Sequence, residues 1–307
     1  MAGKSFQEFR DTWSAYRFPD ELRYLEHRWL NLRASLRNQG NIVLPGGVVL
    51  PFSSGNKQTR FRLLSFCLME GVLFHTQGAS GWRIDIAKGT FTTPKGVTFY
   101  IDSFNRVIFS ETYLHDVHFV DFEGNGRLVV DAGGFVGDTS LYYAALGFQV
   151  VSLEPDNSSY SWLTKNISLN PHLSEKITAM HSAIGEDGEI MFAMTHTGAS
   201  SAFKSSNQEK IRSLSLKSIL AAHPNAHPYL LHLDVKGVEF KLIEQLEVAK
   251  FERVRLEYTC NVEGNCLGSP DELEAKLRGY GFTQMRRYKH NFGPYPLEEH
   301  GTIDASK

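Results

Sequence analysis

Two acids and three glycines between residues 127 and 154 carry most of the chemistry this sequence can do. Asp131 closes the apolar run that starts at Arg127, and Gly133, Gly134 and Gly137 follow it at once. Asp138 and Thr139 then open a helical stretch, and Glu154 with Pro155 closes a second apolar run. Glycine lets a backbone come close where a Cβ would collide. An acid after the second strand can accept both hydroxyls of a ribose. The pattern is that of a nucleoside-binding strand–loop–helix–strand unit.

The glycine spacing and the first acid select among nucleosides. A dinucleotide site reads G-x-G-x-x-G and sets a pyrophosphate on the N-terminus of the following helix, where a carboxylate would repel it. Here the text is D-x-G-x-x-x-G, with Asp131 entering the loop and Asp138 leaving it. That opposes an NAD-dependent dehydrogenase. It suits an adenosine cofactor with a cationic end, and S-adenosylmethionine carries both an ammonium and a sulfonium. The residues expected around it are Asp131, Gly133, Gly134, Gly137, Asp138, Thr139, Glu154, Pro155, Ala183 and Asp234.

The elements that must hold these residues alternate from Arg127 onward. Strands read at 127–132, 149–154, 177–184, 229–235, 253–259, 282–288 and 301–306, and helices at 138–146, 157–169, 238–249 and 270–279. This is an α/β chain with a doubly wound, Rossmann-like, seven-stranded sheet, whose ligands bind at the carboxyl ends of the strands. Asn170-Pro171 ends the second helix. Ser269-Pro270-Asp271-Glu272 supplies an N-cap, a proline at the first helical position and a capping-box Glu, and Gly281 follows that helix. Residues 185–212 read as a hairpin and a polar loop.

Before residue 125 the text differs. Residues 5–38 suggest two amphipathic helices broken near Pro19, and a further helix is expected around Gln58–Gly71. Short β-like runs appear at 42–44, 48–50, 82–84 and 97–101. The division expected is a smaller α+β region over 1–124, which could shape an acceptor pocket, and a catalytic domain over 125–307.

At four places the chain resembles the FkbM-like branch of class I S-adenosylmethionine-dependent methyltransferases. The first motif, D-x-G-A-N-x-G, is matched by Asp131 to Gly137, and a Glu-Pro by Glu154-Pro155. Lys-Asn-x-x-Leu-Asn appears as Lys165 to Asn170, and Asp-Val-Glu-Gly-x-Glu as Asp234-Val235-Lys236-Gly237-Val238-Glu239. The match covers about residues 97–290. Gly134-Phe135 stand where the family has Ala-Asn, and Lys236 stands where it has Glu. The resemblance implies O-methylation of a sugar or small natural product. The partner implied is a small-molecule or glycan acceptor.

Asp234, Glu239 and Glu257 fall at or just past the ends of two strands beside the cofactor cleft. One of them could take the acceptor's proton, although aligning oxygen, methyl carbon and sulfur would supply most of the catalysis. Glu239 could instead cap its helix and pair with Lys236 or Lys241. The family fold also allows Mg²⁺, for which the residues give no support: His115 and His118 share a face on a helix but lack further convergent ligands, so no metal site is assigned. His232 shares a strand face with Asp234, and Arg286, Tyr288 and His290 form one face of a basic strand. Ser200 and Ser201 lack the G-x-S-x-G turn of a hydrolase nucleophile.

Composition bounds the rest. With 307 residues, 42% of them apolar and 12% aromatic, the chain can bury a sizeable core. A formal net charge of −2 gives no electrostatic case for a nucleic-acid or membrane partner. Cys67, Cys260 and Cys266 are an odd number without a C-x-x-C pair, which reads as a reducing, cytoplasmic setting, so the Asn157 and Asn166 sequons are accidental. No apolar leader or spanning run is present. Oligomeric state leaves no trace in the sequence. The competing reading is a non-catalytic nucleoside-binding or scaffold protein of the same fold, favoured by Lys236.

Overall fold

The computed structural model describes residues 39–43, 49–53, 83–85, 88–113, 123–193, 208–235, 237–262, 265–289 and 300–307. The expected helices of 5–38 and Gln58–Gly71, together with His115, His118, Ser200, Ser201, Lys236 and His290, lie outside these residues. The chain falls into two compact units, Met1–Asp121 and Phe122–Lys307.

In the first unit, β1 (Gln39–Val43) pairs antiparallel with β2 (Val49–Ser53). A meander follows of β3 (Arg83–Asp85), β4 (Thr90–Thr92) and β5 (Thr98–Tyr100), then helix α1 (Arg106–Tyr113). Phe91, Phe99, Phe104 and Phe109 are all buried here. Phe99 meets Phe109 edge-on at 4.8 Å, an arrangement the ring quadrupoles favour. This aromatic cluster is what holds so short a sheet together.

The second unit is built on a seven-stranded sheet. Its order is β16–β17–β13–β12–β6–β7–β8, from β6 (Leu128–Ala132), β7 (Gln149–Leu153), β8 (Ile177–Met180), β12 (Pro228–Leu233), β13 (Arg253–Thr259), β16 (Gln284–Lys289) and β17 (His300–Ser306). β8, β7, β6, β12 and β13 run parallel, and β17 lies antiparallel between β13 and β16. The central strands read as continuous apolar runs because helices cover both faces. From β6 the chain winds first toward β7 and β8, then returns to β12. The crevice where ligands bind in such sheets therefore opens between β6 and β12.

Helices α2 (Asp138–Ala145), α3 (Asn157–Ser168) and α4 (Pro171–Ser174) follow the first strands. α5 (Leu216–Ala222), α6 (Glu239–Leu242) and α7 (Pro270–Gly279) come later. Leu216, Ile219, Leu242, Ile243, Leu273 and Leu277 from these later helices pack with Val130, Leu231, Leu233, Val254, Leu256 and Ile303 in one core. The expected capping box of α7 is present, with Ser269 and Glu272 each bonding the other's backbone.

Two expected elements are corrected, and one helix is added. The strand expected at 177–184 breaks after Met180, and Ala183–Ile184 instead forms β9, beside β11 (Gln208–Leu214) in a small sheet with β10 (Gly188–Ala193). That sheet contains the hairpin expected within 185–212. The helix expected at 238–249 is only α6 plus a 3₁₀ turn at Leu246–Lys250, and α5 had no expected counterpart. Ser215 caps α5 by accepting from the Ser218 amide, and Asp187 in turn accepts from the Ser215 amide and hydroxyl and from the Ser218 hydroxyl.

The antiparallel β17 is tied in by charge as well as by ladder bonds. Arg253 donates to Asp304 through Nε at 2.9 Å and Nη2 at 2.6 Å, a bidentate pair with both side chains largely buried. Removing one partner leaves the other charge uncompensated. Asp304→Ala should therefore cost about 3–5 kcal/mol in urea unfolding. A loss well below about 1 kcal/mol would show that the ladder alone secures this strand.

Candidate functional site

The site is best built from two rows of residues that cross the sheet. The inner row is set by register: Ser152 pairs with Asp131, Asp131 with His232, His232 with Arg255, Arg255 with Asp304, and Asp304 with Arg286. Residues in register point to the same face. So a file of polar side chains runs beneath the carboxyl edge, and Ser152, Asp131, His232, Arg255 and Asp304 are all buried.

Asp131 organises that file. It is completely buried. Its Oδ2 accepts from the hydroxyls of Thr139 at 2.8 Å and Ser140 at 2.6 Å, and its Oδ1 faces His232 Nδ1 at 2.8 Å. The imidazole therefore carries a proton on Nδ1. Sequence placed Asp131 and Thr139 around a cofactor; in the structure they lock the start of α2 to β6 and β12 from below the loop. Asp138 is buried as well, in the first turn of α2. His232, expected on the strand face of Asp234, is buried and bound to Asp131.

Two residues further along each strand comes the outer row: Glu154, Gly133, Asp234, Glu257, Thr302 and Tyr288. The ladders carry on into it, with the Gly133 amide donating to Leu153 O at 2.9 Å and the Asp234 amide to Ala132 O at 3.0 Å. Gly133 is the one position in this row without a side chain, and it sits between two carboxylates.

Its lack of a Cβ is demanded first by the protein itself. Gly133 has φ +92°, and a Cβ there would lie 2.2 Å from the backbone oxygen of Asp234. A Cβ on Gly134 would lie 2.1 Å from Ser152 Oγ. The sequence assigns both glycines to ligand approach; the structure adds that a Cβ on Gly133 would strike the Asp234 backbone, while one on Gly134 would have to displace the Ser152 hydroxyl. Gly137 is the N-cap of α2, and Asn166 Nδ2 holds the preceding Val136 carbonyl from α3 at 2.8 Å. That bond gives the Lys165-Asn166 motif its structural task.

Glu154 is buried, and each oxygen takes one backbone amide: Oε2 from Phe135 and Oε1 from Asp156, both at 2.8 Å. Burial pushes its carboxyl up to about 8, against the pull of these two bonds and with further upward pushes from Asp156 and Asp234. A carboxylate oxygen has two lone pairs, so one on each oxygen remains for another donor. Pro155 follows, and its carbonyl accepts from His181 Nε2 at 3.1 Å; the His181 ring stacks on Tyr160 at 4.9 Å. Ala183, expected beside a cofactor, packs with Phe192 and Ile211 in the core of the small sheet.

At the other side of Gly133, Asp234 is exposed at the end of β12. Glu257, next along the row, is half-buried and lies 3.0 Å from His300 Nε2. His300 Nδ1 faces Tyr258 O at 3.1 Å and Thr259 Oγ1 at 3.3 Å. Glu239 is fully buried at the first turn of α6. Arg287 of the basic strand is engaged by Asp271 and Glu274 of α7. The three proposed bases thus sit in three settings: one solvent-facing, one paired with histidine, one enclosed.

Sequence reasoning missed His300 and His181. The strand expectation began at Gly301, one residue late. Had the last strand been read as antiparallel, its first residue would have fallen at the carboxyl edge. For His181 no spacing signal existed. Among the described residues, no group of three or more His, Cys, Asp or Glu could hold a metal ion, and no helix is long and apolar enough to cross a membrane.

No curated protein is significantly similar in sequence. Among solved structures, the chain is similar to a methyltransferase FkbM from Methylobacillus flagellatus KT, with 12% identity and a TM-score of 0.44 over 93% of this chain, and it spans 60% of that one. It is also similar to the N-terminal domain of human METTL16 (13% identity, TM-score 0.40, 94% of each chain). A third is the magnesium protoporphyrin IX methyltransferase of Synechocystis PCC 6803 with bound SAM (14% identity, TM-score 0.41, 66% of this chain and 81% of that one). The family model for the methyltransferase FkbM domain matches residues 131–283, from the buried acid of β6 to the turn before β16. The chain thus carries a methyltransferase FkbM domain over residues 131–283.

Proposed function

We propose that this protein binds S-adenosylmethionine in the crevice between β6 and β12 and methylates a hydroxyl oxygen of a sugar or small natural product. The observation that carries the reading is Glu154: a buried carboxylate with one backbone amide on each oxygen, one side-chain-free position away from Asp234. The remaining lone pair on each oxygen matches the two vicinal hydroxyls of a ribose. Bound there, the cofactor supplies an electrophilic methyl group on a sulfonium.

The chain's own residues then have three tasks. Glu154 fixes the ribose, and the loop from Gly133 to Gly137 leaves room beside it. Asp234, exposed on the next strand, orients the acceptor hydroxyl and accepts its proton; Glu257, held by His300, is the second group able to do so. An edge lined by carboxylates suits a neutral polyol, since a polyanionic acceptor would meet like charge.

Two outcomes are expected. Ribose hydroxyls donate, so binding needs Glu154 ionised, and affinity for S-adenosylmethionine measured calorimetrically should rise several-fold per pH unit between about 6 and 8 and level off above. The sign on stability is opposite. The unfolded chain releases this proton near its ordinary value of 4.5, whereas the folded chain keeps it to about 8, so unliganded stability falls by roughly 1.4 kcal/mol per pH unit between those limits. Glu154→Gln should thus gain stability over the native chain as pH rises from 5 to 8 and lose cofactor affinity by tens-fold or more. Flat pH profiles for both quantities would remove Glu154 from the site.

Asp234→Asn should keep cofactor affinity and lose at least about a hundredfold in single-turnover transfer of labelled methyl to a hydroxyl acceptor found in a sugar and phenol panel. Native rates in that variant would leave alignment, or Glu257, as the source of catalysis.

A further inference from the structure

The loop between β6 and α2 keeps one residue in a conformation its type resists. Phe135 has φ +44°, in the left-handed region. That region is unfavourable for any residue with a Cβ, and more so for an aromatic one than for Asn or Gly. The family pattern has Asn here. The backbone bond made at this position, N–H to Glu154 Oε2 at 2.8 Å, asks only for an amide and so does not explain the ring.

Nor does core packing explain it. Phe135 is half-buried and, among the described residues, neither packs against the core cluster of the later helices nor stacks on another ring. Strain retained at a half-exposed side chain on the rim of a ligand crevice marks a contact with the ligand. The acids nearby leave a matching gap. Asp131 is fully buried beneath the loop against Thr139, Ser140 and His232, and Glu154 is committed to the ribose in the reading above, which leaves the Phe135 ring as the group of this loop able to face a cationic centre.

Position says which part of the ligand. The loop leaves β6, which lies between β7, bearing Glu154, and β12, bearing Asp234. A ribose held by Glu154 and pointing its 5′ carbon toward Asp234 passes over this loop. The sulfonium is attached to that carbon.

We infer that Phe135 is a positioning residue for the sulfonium of S-adenosylmethionine, its ring face holding the positive charge as aromatic faces hold alkylammonium ions. This rests on the cofactor reading proposed above.

The test compares S-adenosylmethionine with S-adenosylhomocysteine, which lacks the methyl and the sulfonium charge but keeps every other group. Both are titrated calorimetrically into the native chain and into Phe135→Leu, Phe135→Tyr and Phe135→Asn. Leu bears the same backbone strain without a ring, Tyr restores the ring, and Asn relieves the strain, so that it should raise the melting temperature of the unliganded protein. The ratio of the S-adenosylhomocysteine to the S-adenosylmethionine dissociation constant should fall about 3- to 30-fold in Leu and Asn and stay within about twofold of native in Tyr. Equal weakening of both ligands would place the ring against the adenosine, and no change in either would make it a surface residue; each overturns the inference. A native chain that binds neither ligand overturns the cofactor reading itself, and this inference with it.

Discussion

A carboxylate with no access to water, Asp131, is the constraint on which the second unit depends. Such a group is tolerable only when its lone pairs are filled by good donors. Three are supplied, by Thr139 and Ser140 at the start of α2 and by His232 on β12. Each donor comes from an element that must be in its final place for the bond to form. The acid therefore couples the position of β12, the entry angle of α2 and the path of the loop between them. In this light the motif's first Asp is a keystone below the site, and what it fixes is the geometry of Gly133 and the residues after it.

From that keystone the functional edge follows by counting. The inner row of Ser152, Asp131, His232, Arg255 and Asp304 is buried and mutually polar. The period of two in a strand then places Glu154, Asp234 and Glu257 in the next row, at the edge where the strands end. Because the residue between Glu154 and Asp234 is glycine, their two side chains flank a gap. Electrostatic coupling between them is already felt in the raised carboxyl of Glu154. The crevice is thus a missing side chain in an otherwise continuous polar row.

Much of this was legible in the sequence. The four parallel strands beginning with Leu128, Gln149, Pro228 and Arg253 announced themselves as apolar runs, and the capping box at Ser269 fixed the start of α7. Glu154 could be placed because its position depends on local order alone: strand end, then Pro155. What could not be read was set by distant partners. Asp131 looked ligand-facing because nothing local reveals that His232, 101 positions away, lies against it. Ala183–Ile184 turned away from the sheet into a second, smaller one because β11 offers Ser213 and Leu214 as partners in register. The Glu257–His300 pair needs the antiparallel return of β17, whose first residue carries no periodic signal of its own.

The two departures from the family's loop text acquire a physical meaning when strain and charge are considered together. Gly134 in place of Ala leaves room for Ser152 Oγ, which lies 2.8 Å from Ser140 Oγ and so extends the network around Asp131. An Ala there would have to displace that hydroxyl. Phe135 in place of Asn goes the other way and adds strain to the loop. One substitution tightens the support beneath the loop while the next loads its rim, and a strained rim residue persists only where the structure below over-determines it. The rigid Asp131 cluster is that structure. Preorganisation at this edge is therefore paid for beneath it, and the unligated protein holds both a strained Phe135 and a reluctantly ionised Glu154 joined by a single hydrogen bond. A donor that satisfies the carboxylate lowers the cost of its ionisation, whereas the strain at Phe135 stays in the backbone and is carried by the Asp131 cluster.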